Sequence, residues 1–151
     1  MLYVMLTILL IVIDQVVKFL VRANIPLGDS VPFLPHVLEL TYVQNTGAAF
    51  SLLAEHTWIL TLISVLVVIV MVIALWKKVL PPPRGVVPAV LVLSGGLGNL
   101  IDRIAFGYVT DMFRTLFMNF AVFNVADICI TVGAVWLAVY VLFGYEKLEK
   151  K

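Results

Sequence analysis

Gly95-Gly96-Leu97-Gly98-Asn99-Leu100-Ile101-Asp102-Arg103 lies inside an apolar segment, Tyr108-Val109-Thr110-Asp111 follows it, and Phe123-Asn124-Val125-Ala126-Asp127 opens the next apolar segment. Three of the nine acids in the chain fall between positions 95 and 127, each at or near the edge of a segment greasy enough for a bilayer. A carboxylate at the centre of a membrane helix costs roughly 2.5–3.5 kcal/mol, and less towards the interface, so such acids point to function by default.

The rest of the chain fits a membrane setting. Of its 151 residues, 63% are hydrophobic and 13% are charged, and the mean hydropathy is +1.13. A soluble domain is about half apolar and about a quarter charged. Four spans of about 20 residues each, joined by short loops, account for the length. The prediction is a single all-α polytopic membrane domain over 1–151, with spans at about 2–22, 57–76, 86–105 and 125–144. Outer loops cover 23–56 and 106–124, and a turn covers 77–85. The net charge is +1 with no basic run interleaved with aromatics, so nucleic acid is not an expected partner. Cys129 is the single cysteine, which excludes an intrachain disulfide and a multi-cysteine metal site.

The first apolar run carries Asp14, Gln15 and Lys18, has no basic residue ahead of it and no small-residue cleavage pattern behind it. It reads as a retained helix. Asp14 and Lys18 are spaced for an intrahelical ion pair, and Lys18 and Arg22 are spaced to snorkel towards an interface. Pro26, Gly28, Asp29, Pro32 and Pro35 break the next segment. Val37 to Val43 is β-branched and aromatic with partial alternation, so a small extracytoplasmic sheet is expected in the first outer loop. Asn45 is placed to cap a short helix of small residues through Phe50. Trp58 and Trp76 bracket the second span as an aromatic belt does.

Lys77, Lys78 and Arg84 occupy a turn without acids, and Lys147, Lys150 and Lys151 lie in the tail. The positive-inside rule puts both, and hence both termini, in the cytoplasm. Asp14 then lies about 20 Å along an outgoing helix at 1.5 Å per residue, and Asn99, Asp102, Arg103, Asp111, Asn124 and Asp127 gather at the same outer level. A relay for protons or ions would spread polar groups through the whole depth. The second span offers such a path only Thr61 and Ser64, and a purely structural scaffold gives no reason for so many interfacial acids.

Asn99, Asp102 and Arg103 share one helix face, and the glycines beside them permit close helix approach. Arg103 is a natural partner for Asp102 or another nearby carboxylate. Asn124 and Asp127 are three apart at a helix start, an N-cap spacing. A second carboxylate near Asp127, either Asp111 or Asp102, would share one proton with it, the arrangement that lets one acid accept a proton from water while the other donates to a carbonyl oxygen. His36 and His56 stand apart from these motifs, and Cys129 points to a different face from Asp127. A hard cation held by Asp and Asn oxygens is the remaining alternative.

Asp14-Gln15-Val16-Val17-Lys18, Asn45-Thr46-Gly47-Ala48-Ala49-Phe50, Gly98-Asn99-Leu100-Ile101-Asp102-Arg103, Val109-Thr110-Asp111 and Phe123-Asn124-Val125-Ala126-Asp127 together resemble the ordered signature blocks of the lipoprotein signal peptidase (signal peptidase II) family. The resemblance implies a bacterial inner-membrane aspartic endopeptidase that cleaves diacylglyceryl-modified prolipoproteins just before the lipidated cysteine. It implies Asp111 and Asp127 as the catalytic pair. Asn45, Asn99, Arg103 and Asn124 would position substrate or the pair, and Asp14 and Asp102 would be structural supports. No metal and no organic cofactor is expected, and the expected partners are the lipidated precursors and membrane lipids around a monomer. Thr110 and Ile128 depart from the family pattern, which commonly has an apolar residue and a serine there. The apolar loop from Leu116 to Phe123 is expected to rest among lipid headgroups.

Overall fold

The computed structural model describes residues 1–47 and 56–143. Elements follow in the order α1 (Leu2–Asn24), β1 (Ser30–Leu34), β2 (Leu38–Asn45), α2 (Thr57–Trp76), α3 (Val86–Phe106), β3 (Val109–Thr115) and α4 (Val125–Phe143). The helix expected through Phe50 and the basic tail lie outside the described residues. Among the described residues, four helices are long and apolar enough to cross a membrane. The protein is a helical membrane protein whose α1, α2 and α4 turn large apolar side chains such as Ile8, Leu66 and Val135 outward. In water such exposure would be costly; against lipid tails it costs nothing.

α3 is the central helix, and α1, α2 and α4 all pack against it. The reason lies in its small residues. A Cβ built on Gly95 would lie on the carbonyl oxygen of Ala126 and 2.8 Å from Ile130 Cγ1, so α3 and α4 meet backbone to backbone only because the side chain is missing. At Gly98 a Cβ would come within 2.6 Å of an Asp14 carboxylate oxygen. The missing methyl there is the space that the acid occupies.

The helices carry a three-stranded antiparallel sheet at one end, in the order β1-β2-β3. Two strands come from the first loop: β2 covers most of the Val37 to Val43 stretch whose composition predicts a strand, whereas β1 runs through Pro32 in the segment expected to be broken, and the third comes from the loop after α3. Gly107 makes that third strand possible: at φ 78° it ends α3 in the left-handed region, with its N–H bonded to Arg103 O at 3.0 Å, and the chain reverses at once into β3. Val21, Ile25, Tyr42 and Met112 form a buried cluster that fastens the sheet to the end of α1.

The β2–β3 ladder contains a bulge. Leu40 pairs with Phe113 but Val43 pairs with Asp111, so Thr41 and Tyr42 together face Met112. Such an extra residue bends and twists a strand locally. Alternation along β3 sends Thr110 and Met112 towards α1 and Asp111 to the other face.

Gly95→Ala gains up to about 1 kcal/mol of helix propensity, but the added methyl meets an immovable carbonyl, and overpacking costs about 1–3 kcal/mol or more. Thermal unfolding in detergent should therefore show Gly95→Ala melting below the unsubstituted protein. Gly96→Ala, whose Cβ meets only Val68 Cγ2 at 3.4 Å, should melt at or above it.

Candidate active site

The first turn of α4 builds half of the site. Asn124 Oδ1 accepts from the Asp127 N–H at 2.9 Å, while Asp127 Oδ2 accepts from the Asn124 N–H at 3.2 Å. This is a reciprocal capping box, with the residue before the helix and its third residue satisfying each other's backbone donors. The Ala126 N–H is taken by Asp14 Oδ1 at 2.9 Å. Two N–H groups that a helix start leaves without partners are thus satisfied by side chains, one from across the bundle.

The Asn124 amide then reaches outward. Its Nδ2 donates to Asp111 Oδ1 at 2.6 Å and to Asn99 Oδ1 at 3.2 Å, and Asn99 Nδ2 donates to Asp127 Oδ1 at 2.8 Å. From the sheet side, Asn45 Nδ2 donates to Asp111 Oδ2 at 2.8 Å, and Asn45 Oδ1 accepts from the Gly47 N–H at 2.9 Å. Asn124 therefore touches both carboxylates, one through its side chain and the other through its backbone. Asp111 and Asp127 both border a cavity of about 420 Å³, together with Asn45, Asn99, Arg103 and Phe120. Of the two candidates for the acid beside Asp127, Asp111 is the one that lines this space.

Asp102 is occupied elsewhere. Its Oδ2 accepts from the Thr110 N–H at 2.9 Å and lies 3.6 Å from Lys18 Nζ and 3.7 Å from Arg22 Nη1. Of the partners expected for Arg103, Asp102 is not taken, because Arg103 leaves the helix on the cavity side. Its Nη1 donates to Ser64 Oγ at 3.2 Å, and its strongest carboxylate neighbours are Asp127 and Asp111, ahead of Asp102. Arg103 Nε is buried without a hydrogen-bond partner among the described residues.

Lys18 does not snorkel. It is fully buried, paired with Asp14 at 2.9 Å, and donates to Asn99 Oδ1 at 2.9 Å. A lysine ammonium is a donor only, so it fixes which end of the Asn99 amide faces it and leaves Nδ2 for Asp127. Arg22 stays at the edge, donating to Thr110 Oγ1 at 2.8 Å and lying 4.6 Å over the Phe106 ring. Thr110, one of the two departures from the family pattern, thereby holds Arg22 beside Asp102. Ile128, the other, borders the cavity.

Two contributors, Gln15 and Ser64, were given no role at the site from sequence. Gln15 Nε2 donates to Asp14, to Gly98 O and to Asp102 over 3.1–3.3 Å, and Ser64 holds Arg103. The signal for each was present: Gln15 is a polar residue next to an acid in an apolar run, and Ser64 is one of two hydroxyls between Trp58 and Trp76, a stretch with no charge.

Electrostatics distinguish the Asp111 carboxyl. Burial pushes it up to about 7, the neighbouring Asp127 adds to the rise, and the Asn45 and Asn124 amides and Lys18 oppose it. Buried acids near like charge behave this way. Near neutral pH such a group exchanges its proton readily, as acid–base chemistry requires.

The family model for signal peptidase (SPase) II matches residues 6–143. A lipoprotein signal peptidase of Streptococcus agalactiae serotype Ia is 44% identical over 133 residues, covering 88% of this chain and 86% of its own. That of Lactococcus lactis subsp. lactis is 43% identical over 136 residues, with 90% of each covered. Among solved structures, a bacterial membrane enzyme determined by the in meso method at 2.3 Å superposes with a TM-score of 0.87 at 28% identity, covering 99% of this chain and 91% of its own. A second, at 1.9 Å, gives 0.84 at 29% identity over 93% and 92%. With its cavity-lining acids, its capped fourth helix and relatives matching nearly end to end, this chain belongs to the signal peptidase II family.

Proposed function

We propose that the chain is an aspartic endopeptidase that removes the signal peptide from diacylglyceryl-modified prolipoproteins, cutting just before the lipidated cysteine, with Asp111 and Asp127 as the water-activating pair. The observation that carries this reading is that two acids from separate elements, β3 and α4, border one cavity and are tied to the same asparagine, Asn124, at 2.6 Å and 3.2 Å.

A charge count supports a shared proton. Lys18, Arg22 and Arg103 stand among Asp14, Asp102, Asp111 and Asp127. Three positive charges balance four carboxylates only if one proton is kept. Burial raises the Asp111 carboxyl to about 7, which lets the pair keep that proton near neutral pH.

In the reaction, Asp127 takes a proton from water as the water oxygen attacks the scissile carbonyl carbon, and Asp111 gives its proton to the carbonyl oxygen. The tetrahedral diol then collapses. A hydroxyl proton returns to Asp111, Asp127 protonates the leaving nitrogen, and the C–N bond breaks into a signal-peptide carboxyl group and a free amino group on the lipidated cysteine. Arg103 Nε, buried and unpartnered among the described residues, is a donor for a substrate carbonyl. Asn45, Asn99 and Asn124 hold the carboxylates in place, and Asp14 and Asp102 support them from behind.

The basic turn at 77–85 supports an orientation with both termini in the cytoplasm and the cavity near the outer face of the bacterial plasma membrane. A substrate anchored by acyl chains reaches it laterally there, past the exposed Phe117 and its apolar loop. The enzyme works as a monomer in this reading.

Purified protein should cleave a diacylglyceryl-modified precursor, and Asp111→Asn or Asp127→Asn should each lower turnover by about 100-fold or more, the usual scale of acid–base catalysis, while staying folded in detergent. Near wild-type turnover in either variant would refute the assignment. Because the reaction needs a proton on Asp111, the rate should fall as pH rises through about 7. Stability should follow the same group. A carboxyl whose pKa is raised on folding keeps its proton in the native state after the unfolded chain has lost it, so its contribution is full below about 4 and is lost as pH rises through about 7. Thermal melts of the wild type should decline across that window, and those of Asp111→Asn should decline less.

A further inference from the structure

α1 and α2 each pack on α3 but hardly touch each other. At the end of the bundle away from the acids, this divergence leaves a second cavity of about 520 Å³. Its walls include Val4, Thr7 and Ile8 of α1, Leu75 of α2 and Leu93 of α3, with Lys78 at the point where the chain leaves α2. The wall is dry in character: the Thr7 hydroxyl donates to Tyr3 O at 2.9 Å, leaving little to bind water.

Lys78 is the only charged residue on this cavity among the described residues. It adopts φ 53°, in the left-handed region that a lysine rarely enters, and breaks the line of α2 there. Lys77 and Arg84 are exposed in the same turn, which contains no acid. An apolar slot between membrane helices, closed at the headgroup level by a cation in a basic field, matches an amphiphile with a long acyl chain and a net negative head.

We propose that this cavity seats one acyl chain of an anionic glycerophospholipid, with the lipid phosphate on the Lys78 ammonium. A zwitterionic lipid offers the same chain and phosphate but adds a positive group facing Lys77 and Arg84. The discrimination therefore rests on head charge. This site is separate from the acid-lined cavity and does not depend on the reaction assigned there.

Native mass spectrometry of the full chain in detergent, titrated with phosphatidylglycerol or with phosphatidylcholine of the same acyl chains, tests it. One phosphatidylglycerol should be retained in preference by about fivefold or more, the scale of one basic contact near a membrane surface. Lys78→Gln should lower that preference to below about twofold, Lys78→Arg should keep it, and Lys77→Gln, equal in charge but off the cavity, should leave most of it. Val4→Trp, which fills the slot from an exposed position, should release both lipids. Thermal unfolding of every variant in detergent serves as the check on folding. Equal retention of the two lipids, an equal loss in Lys77→Gln and Lys78→Gln, or retention untouched by Val4→Trp would each overturn the proposal.

Discussion

A single buried ammonium organises this molecule. Lys18 is sealed from solvent and ties α1 to α3 through Asn99 and Asp102, and to its own helix through Asp14. A lone charge in a membrane interior is costly enough that it must be met by fixed partners, and the partners here are the groups that support the cavity. Because lysine can only donate, its contact sets the direction of the next bonds. Asn99 must offer its amide nitrogen to Asp127, Asn124 must offer its own to Asn99 and Asp111, and the Asn124 oxygen is left for the α4 backbone. The polarity of the whole network descends from one cation.

The other constraint is backbone proximity. The network is compact because α3 lacks side chains where α4 and Asp14 press against it. Packing and polar chemistry are therefore not separable in this fold. The glycines that bring α3 to α4 also bring Asn99 to Asp127, and the space left at Gly98 is filled by the acid that caps Ala126.

Much of this was legible in the chain because local spacing carries it. Apolar runs of membrane length fix the helices, and Asn124 three residues before Asp127 announces a capped helix start. Strand composition marks Val37 to Val43. What local spacing could not carry was partner choice across the bundle. Asp102 and Arg103 are adjacent in sequence but point apart, so Asp102 takes cations from α1 while Arg103 turns to Ser64 and the cavity. Lys18 lies near a helix end, which suggests snorkelling, yet tertiary carboxylates outcompete water for it. The third strand was missed because Val109 to Thr115 is short and contains Asp111 and Arg114. Its pairing is fixed by the bulged register with β2, a non-local property.

That third strand has a consequence for biogenesis. β2 leaves the ribosome well before β3, and the strand that bears Asp111 cannot zip onto it until α2 and α3 have been made. Asp127 arrives later still. The acid-lined cavity is thus incomplete for nearly the whole of synthesis and closes only when α4 docks. A chain that stops short of α4 lacks the wall that carries Asp127.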